Sequence, residues 1–295
     1  MKKAQEYSID IVIEPSLDRN VENNFKKVNY RLLIVPFSLL FLFFCFFAFS
    51  MEGTFVDTYV KVQKNLFLEL NSILSIYPYL AYNITYLGNA IVIFPFVFIF
   101  LITAPKFWEV LLTSSLFTLI TSAILKIIFA VPRPAAIIDM STFTIIGRPN
   151  ILHTSLPSGH SMTAFMVITV LLYAFMPKKN SHKLFWSIAL ITIGLTIAFS
   201  RVAIGAHYPL DVVLGSILGY IITILSVKIN NHISWLNWMK NRRFYPIIMF
   251  ILSIWAYLII LKIIKYNLVV FYLSFIALAV TFLVILNKYV KESKA

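Results

Sequence analysis

Residues 32–50 read LLIVPFSLLFLFFCFFAFS, a run of nineteen residues without a charged side chain. A helix needs about twenty apolar residues to cross the ~30 Å hydrocarbon layer of a bilayer. The run follows a largely polar segment of 31 residues, and no small-residue cleavage site comes after it. We therefore interpret it as a retained span rather than a signal peptide. This stretch predicts an integral membrane protein.

The composition of the whole chain supports the same class. Hydrophobic residues make up 60% of the 295 residues and charged residues 13%, whereas a soluble domain has about a quarter charged residues. The net charge of +13 would indicate nucleic-acid binding in a soluble chain. In a membrane chain basic loops set the topology, so we expect no nucleic-acid partner. The single cysteine, Cys45, excludes an intrachain disulfide, a cysteine-rich zinc site and an iron–sulfur cluster.

Eight apolar runs are long enough to span a membrane. They lie at 32–50, 86–104, 108–127, 159–176, 184–200, 209–227, 244–263 and 266–286. The predicted fold class is therefore all-α, a polytopic membrane helical bundle that forms one domain. Pro36 and Pro95 fall inside these runs and are expected to kink the helices.

Two segments outside the spans have distinctive patterns of charged and apolar residues. Residues 1–31 mix both charge signs and predict a cytoplasmic N-terminal arm with room for a short amphipathic helix. Residues 54–80 place apolar side chains at roughly helical spacing with charged residues between them. Such a segment is typical of the outer membrane interface, and a simple structured loop explains it equally well.

The basic residues predict an orientation. With the N-terminus inside, 17 of the 25 Lys and Arg residues fall on the inner side and eight on the outer side. This bias favours cytoplasmic N- and C-termini. The membrane expected is a cytoplasmic (inner) membrane of the bacterial type.

In this topology the residues suited to chemistry, through a polar side chain or a free backbone N–H, lie together at the outer surface. They are Lys126, Arg133, Ser158, Gly159, His160, Arg201, His207 and Asp211. Ionisable residues at bilayer depth are costly, so a group of them supplied by several helices is by default a functional-site hypothesis.

The residue types in this group suit a phosphate. Arg133 and Arg201 offer planar guanidinium forks and Lys126 a point charge, which together match a multiply charged anion. The helix that opens at Ser158-Gly159 has free backbone N–H groups that favour an anion. Only one carboxylate, Asp211, is nearby, whereas magnesium would need several, so no metal is expected. We expect no other cofactor either.

Three motifs then resemble those of the type 2 phosphatidic acid phosphatase (PAP2) family. They are Lys126-(six residues)-Arg133-Pro134, Pro157-Ser158-Gly159-His160, and Ser200-Arg201-(five residues)-His207-(three residues)-Asp211. All three match in order over residues 126–211, and the resemblance does not cover 1–50 or 229–295. It implies a six-span core within 32–228, with 229–295 as two additional helices and a short cytoplasmic tail.

The resemblance also implies a role for each motif residue. His207 would be the nucleophile that forms a phosphohistidine, and Asp211 would orient its imidazole. His160 would protonate the departing oxygen and later activate water. The phosphoryl oxygens would be held by Lys126, Arg133, Ser158, Gly159 and Arg201. No metal cofactor is implied.

Other interpretations remain for residues taken singly. Lys126 has the position of a snorkelling anchor, and Asp211 that of an ordinary acidic residue in the first turn of a helix. Neither explains why all the elements fall on one side at the spacing of the family. Arg148 and His153, between the first two motifs, are candidates for a head-group contact, with a solvated loop as the alternative.

The sequence thus predicts a membrane lipid phosphatase, a phosphoric monoester or diphosphate hydrolase that is independent of metal. Candidate substrates are undecaprenyl diphosphate, phosphatidylglycerophosphate, phosphatidate and a phosphate of lipid A. A slight preference for undecaprenyl diphosphate rests on its frequency within the family. The alternatives are a phosphotransferase between lipids and a non-catalytic lipid-phosphate transporter, although binding alone needs no nucleophile such as His207. The oligomeric state stays open.

Overall fold

The computed structural model describes residues 16–294, and all regular secondary structure in that range is helical. The helices are α1 Ser16–Lys26, α2 Ile34–Ser50, α3 Phe55–Leu74, α4 Pro78–Tyr86, α5 Ala90–Ile93, α6 Pro105–Phe129, α7 Pro134–Ile137, α8 Gly159–Ala174, α9 Asn180–Ala203, α10 Pro209–Asn230, α11 Tyr245–Tyr266 and α12 Val269–Lys294. Residues 1–15 of the predicted N-terminal arm lie outside the described range.

Within residues 16–294, six helical stretches are long and apolar enough to cross a membrane. They are Tyr30–Ser50, Pro105–Ile137, Asn180–Ala203, Pro209–Asn230, Arg242–Tyr266 and Val269–Lys291. A seventh predicted span, at 159–176, forms the shorter apolar helix α8 of 16 residues. The predicted polytopic helical bundle is confirmed.

The prediction of one helix over 86–104 is wrong. The chain there breaks into α5 and two short 3₁₀ turns, Phe94–Phe96 and Phe98–Phe100. Pro95 lacks a backbone N–H, and its ring clashes with the carbonyl of the preceding turn. Val97 then takes φ −113° and ψ −2°, outside regular helix geometry. The segment still runs from one end of the bundle to the other, but without a continuous helical hydrogen-bond ladder.

The two C-terminal helices cover this broken segment. The Trp255 indole on α11 donates a 2.8 Å hydrogen bond to the Ile91 carbonyl. The Ser274 hydroxyl on α12 donates one of 2.9 Å to the Val92 carbonyl. Irregular backbone at membrane depth is tolerated only where other parts of the protein satisfy its polar groups. Helices α11 and α12 therefore provide hydrogen-bond donors that a six-span core would lack.

Most of the segment 54–80 forms α3 (Phe55–Leu74), a helix that packs at one end of the bundle. The Thr54 hydroxyl caps α3 by accepting from the Asp57 amide. The buried face of α3 includes two polar side chains, Gln63 and Asn71. The Gln63 side chain accepts from the Leu210 amide, and Asn71 donates to the Val202 carbonyl. Helix α3 is thereby fixed where α9 ends and α10 begins, which we call the α3 end of the bundle.

The opposite end of the bundle holds α1. Phe25 of α1 is fully buried there, and Asp18 accepts hydrogen bonds from the Lys106 amide and the Lys240 ammonium. Arg242 lies over the ring of Tyr289 near the end of α12. Both termini of the described chain therefore lie away from the α3 end.

Candidate active site

The candidate site occupies the α3 end of the bundle. An open cavity of about 360 Å³ lies there. Three predicted site residues, Arg133, His160 and Arg201, line it. His207 is only 1% exposed and lies close to this cavity, because Arg133 donates a 3.1 Å hydrogen bond to the carbonyl of the preceding residue, Ala206.

His207 and Asp211 form a buried pair. Asp211 stands in the first turn of α10, and its Oδ2 lies 3.2 Å from Nδ1 of His207, in the turn that joins α9 to α10. A carboxylate at Nδ1 favours the tautomer with its proton on that nitrogen. In that tautomer Nε2 is the nitrogen that carries the lone pair.

The carboxylate of Asp211 accepts three further hydrogen bonds. The donors are the Tyr59 hydroxyl at 2.7 Å, the Ser155 hydroxyl at 2.5 Å and the Tyr208 amide at 2.9 Å. Asp211 has no exposed surface, and a buried carboxylate stays ionised only when hydrogen bonds or charges compensate for lost water. Tyr59 and Ser155 are site residues that the motifs do not reveal.

The surroundings keep His207 neutral. Burial lowers its pKa well below the usual value, and the positive charges of Arg133, Arg201 and Lys126 lower the pKa further. At neutral pH the imidazole is therefore unprotonated at Nε2. That is the state a nucleophile requires.

Both arginines are held in place while part of each guanidinium stays free. Arg133 donates to the Ala206 carbonyl at 3.1 Å and the Thr154 carbonyl at 3.4 Å. Arg201 donates to the Thr85 hydroxyl at 2.9 Å. The Nε atoms of both are buried without a hydrogen-bond partner among the described residues. Buried donors without partners indicate a missing acceptor, and a phosphate oxygen is one.

The start of α8 is packed tightly against α10. A Cβ atom at Gly215 would lie 2.7 Å from the Ser158 carbonyl oxygen, and one at Gly219 would lie 2.5 Å from that of Met162. The Ser158 amide also donates to the Asp211 main-chain carbonyl at 3.0 Å. The second and third motifs are thereby locked to each other.

Ser158 and Lys126 surround Gly159 at the first turn of α8. The Ser158 hydroxyl, fully buried, accepts from the Ser161 hydroxyl at 2.8 Å. The Lys126 ammonium lies 3.5 Å from the position that a Cβ atom on Gly159 would take. The structure thus brings this cation to the backbone at the helix start.

His160 packs closely against the segment that follows α4. A Cβ atom at Gly88 would lie 2.8 Å from Cβ of His160, so only glycine fits there. His160 and Arg201 line the same cavity. Thr85 and Gly88 support the site from a part of the chain that precedes the first motif.

The two predicted head-group residues differ in position. Arg148 lines the cavity, whereas His153 is exposed on the loop and is not part of its wall. Lys262, Lys265 and Tyr266 of α11 also line the cavity. Among residues 16–294, no group of three or more His, Cys, Asp and Glu side chains could hold a metal ion.

Together these features define a membrane helical bundle with a buried histidine–carboxylate pair among cations at one end. Residues 107–235 match the family model described as the PAP2 superfamily. That part of the chain is similar to the PAP2 superfamily.

Two curated relatives match part of the chain. The undecaprenyl-diphosphatase of Sulfolobus acidocaldarius is 31% identical over 122 residues, which cover 41% of this chain and 54% of the relative. The undecaprenyl-diphosphatase BcrC of Bacillus subtilis is 31% identical over 104 residues, which cover 35% and 47%. The chain thus spans about half the length of these relatives. The crystal structure of Aquifex aeolicus LpxE is 27% identical, with a TM-score of 0.47, and covers 57% of this chain and 95% of that one.

Proposed function

We propose that this protein is a membrane lipid phosphatase that hydrolyses a lipid phosphate or diphosphate through a phosphohistidine. One observation carries the proposal. Nδ1 of the buried His207 lies 3.2 Å from Asp211, and Arg133 donates to the carbonyl of the preceding residue, Ala206. A site that only bound an anion would need the cations and no more. The oriented imidazole is an additional group, and it can act as a nucleophile.

The first step transfers the phosphoryl group to the enzyme. Nε2 of His207 forms a bond to phosphorus as the bond from phosphorus to the lipid oxygen breaks. The electron pair of that bond stays on the oxygen, which takes a proton from His160. Asp211 stabilises the charge that develops on the imidazole.

The second step releases phosphate. Water gives a proton to His160 while its oxygen bonds to phosphorus, and the electron pair of the phosphorus–nitrogen bond returns to His207. In both steps Lys126, Arg133, Arg201 and the backbone N–H at Gly159 hold the phosphoryl oxygens. Phosphoryl transfer needs mainly such positioning and charge stabilisation.

The substrate proposed is undecaprenyl diphosphate, a choice supported by the names of the two curated relatives. Phosphatidylglycerophosphate, phosphatidate and a lipid A phosphate share the necessary chemistry. The site lies at one end of the bundle, so a head group can enter while the lipid tail stays in the bilayer. The excess of basic residues on the other side supports a site that faces outward and cytoplasmic termini.

The test uses the full chain purified in detergent. Phosphate release from undecaprenyl diphosphate is measured with EDTA present, for the wild type, for His207→Ala and for His182→Ala. His182 is exposed at the start of α9, so its variant is a matched control. We expect release by the wild type and by His182→Ala, and loss of at least about a thousandfold in His207→Ala.

Two outcomes would contradict the proposal: release that persists in His207→Ala, or release that needs added magnesium. Trapping radiolabelled phosphate on His207 separates the covalent pathway from direct attack by water. Label that moves to a second lipid instead of water would identify a phosphotransferase.

A further inference from the structure

Lysines on α11 place additional positive charge in the candidate active site. We propose that Lys262 and Lys265, together with Arg148, form a second anion subsite. The subsite binds the phosphate of a diphosphate substrate that remains on the lipid after hydrolysis. This inference rests on the proposed function and assigns a ligand class to a helix outside the matched region 107–235.

The first argument is continuity. The cavity of about 360 Å³ that is lined by Arg133, His160 and Arg201 is also lined by Arg148, Lys262 and Lys265. The two sets of side chains therefore face one cavity, and an anion with two linked phosphates meets cations of both sets inside it.

The second argument is charge. The wall contains five Arg and Lys side chains, and none of its residues is Asp or Glu. Lys262 and Lys265 form no ion pair with a carboxylate among the described residues. Cations gathered without counterions repel one another, so a bound anion with more than one phosphate relieves the repulsion.

The third argument is the way the lysines are held. The Lys262 ammonium lies 5.7 Å from the centre of the Tyr86 ring, and that of Lys265 lies 5.2 Å from the centre of the Tyr266 ring. The two rings contact each other, with centroids 5.4 Å apart. Aromatic faces position a cation without neutralising it, so both charges stay available to a ligand.

Snorkelling at the end of a membrane helix explains an isolated lysine. Here two lysines three positions apart share one face of α11, and both line the same cavity. Lys262 is also half-buried rather than extended into solvent. Anchoring to the membrane surface requires neither of these features.

The experiment compares two substrates with the same tail in a neutral detergent. One is a lipid diphosphate and the other its lipid monophosphate, and kcat/KM is measured for each. The test variant is Lys262→Met/Lys265→Met. The control is Lys228→Met, because Lys228 is also half-buried and lies 5.0 Å from the centre of a tyrosine ring, that of Tyr30, away from the cavity.

We expect the double variant to lose about 10- to 100-fold in kcat/KM on the diphosphate, since it loses hydrogen bonds to a charged group. On the monophosphate it should stay within about threefold of the wild type, as Lys228→Met should on both substrates. An equal loss on both substrates, or no loss on either, would overturn the subsite.

Binding gives a readout that does not depend on turnover. In a His207→Ala background, Lys262→Met/Lys265→Met should weaken binding of inorganic pyrophosphate and leave that of inorganic phosphate unchanged, as measured by titration calorimetry. Equal affinities for pyrophosphate with and without the lysines would refute the subsite. If the wild type hydrolyses neither lipid but this difference in binding appears, the proposed function fails and the subsite stands.

An anionic lipid from the bilayer is the other possible source of a phosphate at these lysines. Added phosphatidylglycerol would then change kcat/KM of the wild type equally on both substrates and leave the double variant unaffected. That result would overturn the assignment to the substrate. We expect competition confined to the diphosphate.

Discussion

The phenol of Tyr59 donates a 2.7 Å hydrogen bond to Oδ1 of Asp211, across 152 positions of sequence. The other carboxylate oxygen faces His207. Burial and the Asp211 charge raise the pKa of Tyr59 well above its usual value, so the phenol remains a donor at any pH at which the protein works. Helix α3 therefore helps to position the His207–Asp211 pair.

Replacing this phenol tests the support directly. In Tyr59→Phe the Oδ1 atom of a buried carboxylate loses its donor, which costs about 1–3 kcal/mol. We expect kcat to fall about 5- to 100-fold while the chain stays folded. Tyr79→Phe, at a tyrosine 60% exposed, should retain full activity. Wild-type rates in Tyr59→Phe would show that the hydrogen bond does not serve catalysis.

The pH dependence of hydrolysis follows from the environment of His207. Its lowered pKa means that the imidazole takes up a proton only well below pH 6.5. Because the protonated ring cannot attack phosphorus, kcat/KM should fall on the acid side at a pH clearly below that of an ordinary histidine. A profile of kcat/KM against pH measures this limb. An acid limb at pH 6.5 or above would contradict the buried neutral nucleophile.

Close packing between α8 and α10 predicts a specific sensitivity to added volume. A Cβ atom at Gly219 would lie 2.5 Å from the Met162 carbonyl oxygen, which is backbone and cannot turn away. We expect Gly219→Ala to destabilise the protein by about 1–3 kcal/mol, seen as a lower Tm in detergent.

Gly194→Ala provides the control for this packing. There the added Cβ atom meets only side chains, the Phe165 ring at 3.3 Å and Ile168 at 3.5 Å, and a side chain can shift. Its Tm should change much less. Equal Tm values for the two variants would mean that the helices are not in contact as described.

The hydrogen bonds that hold the broken segment can be removed one at a time. Ser274→Ala leaves the buried Val92 carbonyl without its donor, at a cost of about 1–3 kcal/mol. Ser253→Ala removes only a bond to the Met249 carbonyl of its own helix, at an exposed position. Thermal unfolding in detergent should show a lower Tm for Ser274→Ala alone. An unchanged Tm would indicate that another group satisfies Val92.

The motif residues could be predicted from sequence because each motif is local. The spacing of His207 and Asp211 is one helical turn, and their contact needs only the start of α10. The spans were predictable because hydropathy depends on composition. Hydropathy also explains the error at 86–104, since the run is apolar whether or not Pro95 breaks the helix.

The remaining site residues depend on tertiary contacts. Tyr59, Thr85 and Lys262 each come from a helix outside the motifs, and no local pattern indicates which end of the bundle they reach. On α3, the amide side chains of Gln63 and Asn71 are buried because they bond to the ends of other helices. The buried face of α3 therefore contains polar residues, and a pattern of periodic apolar residues does not identify it.

The broken segment 86–104 limits where the chain can be truncated. Its carbonyls at Ile91 and Val92 depend on donors that the chain supplies some 170 residues later, from α11 and α12. A fragment ending before Tyr245 would expose those oxygens to lipid. We therefore expect the region that carries the family motifs to depend on the C-terminal helical pair for its stability, although those motifs end at Asp211.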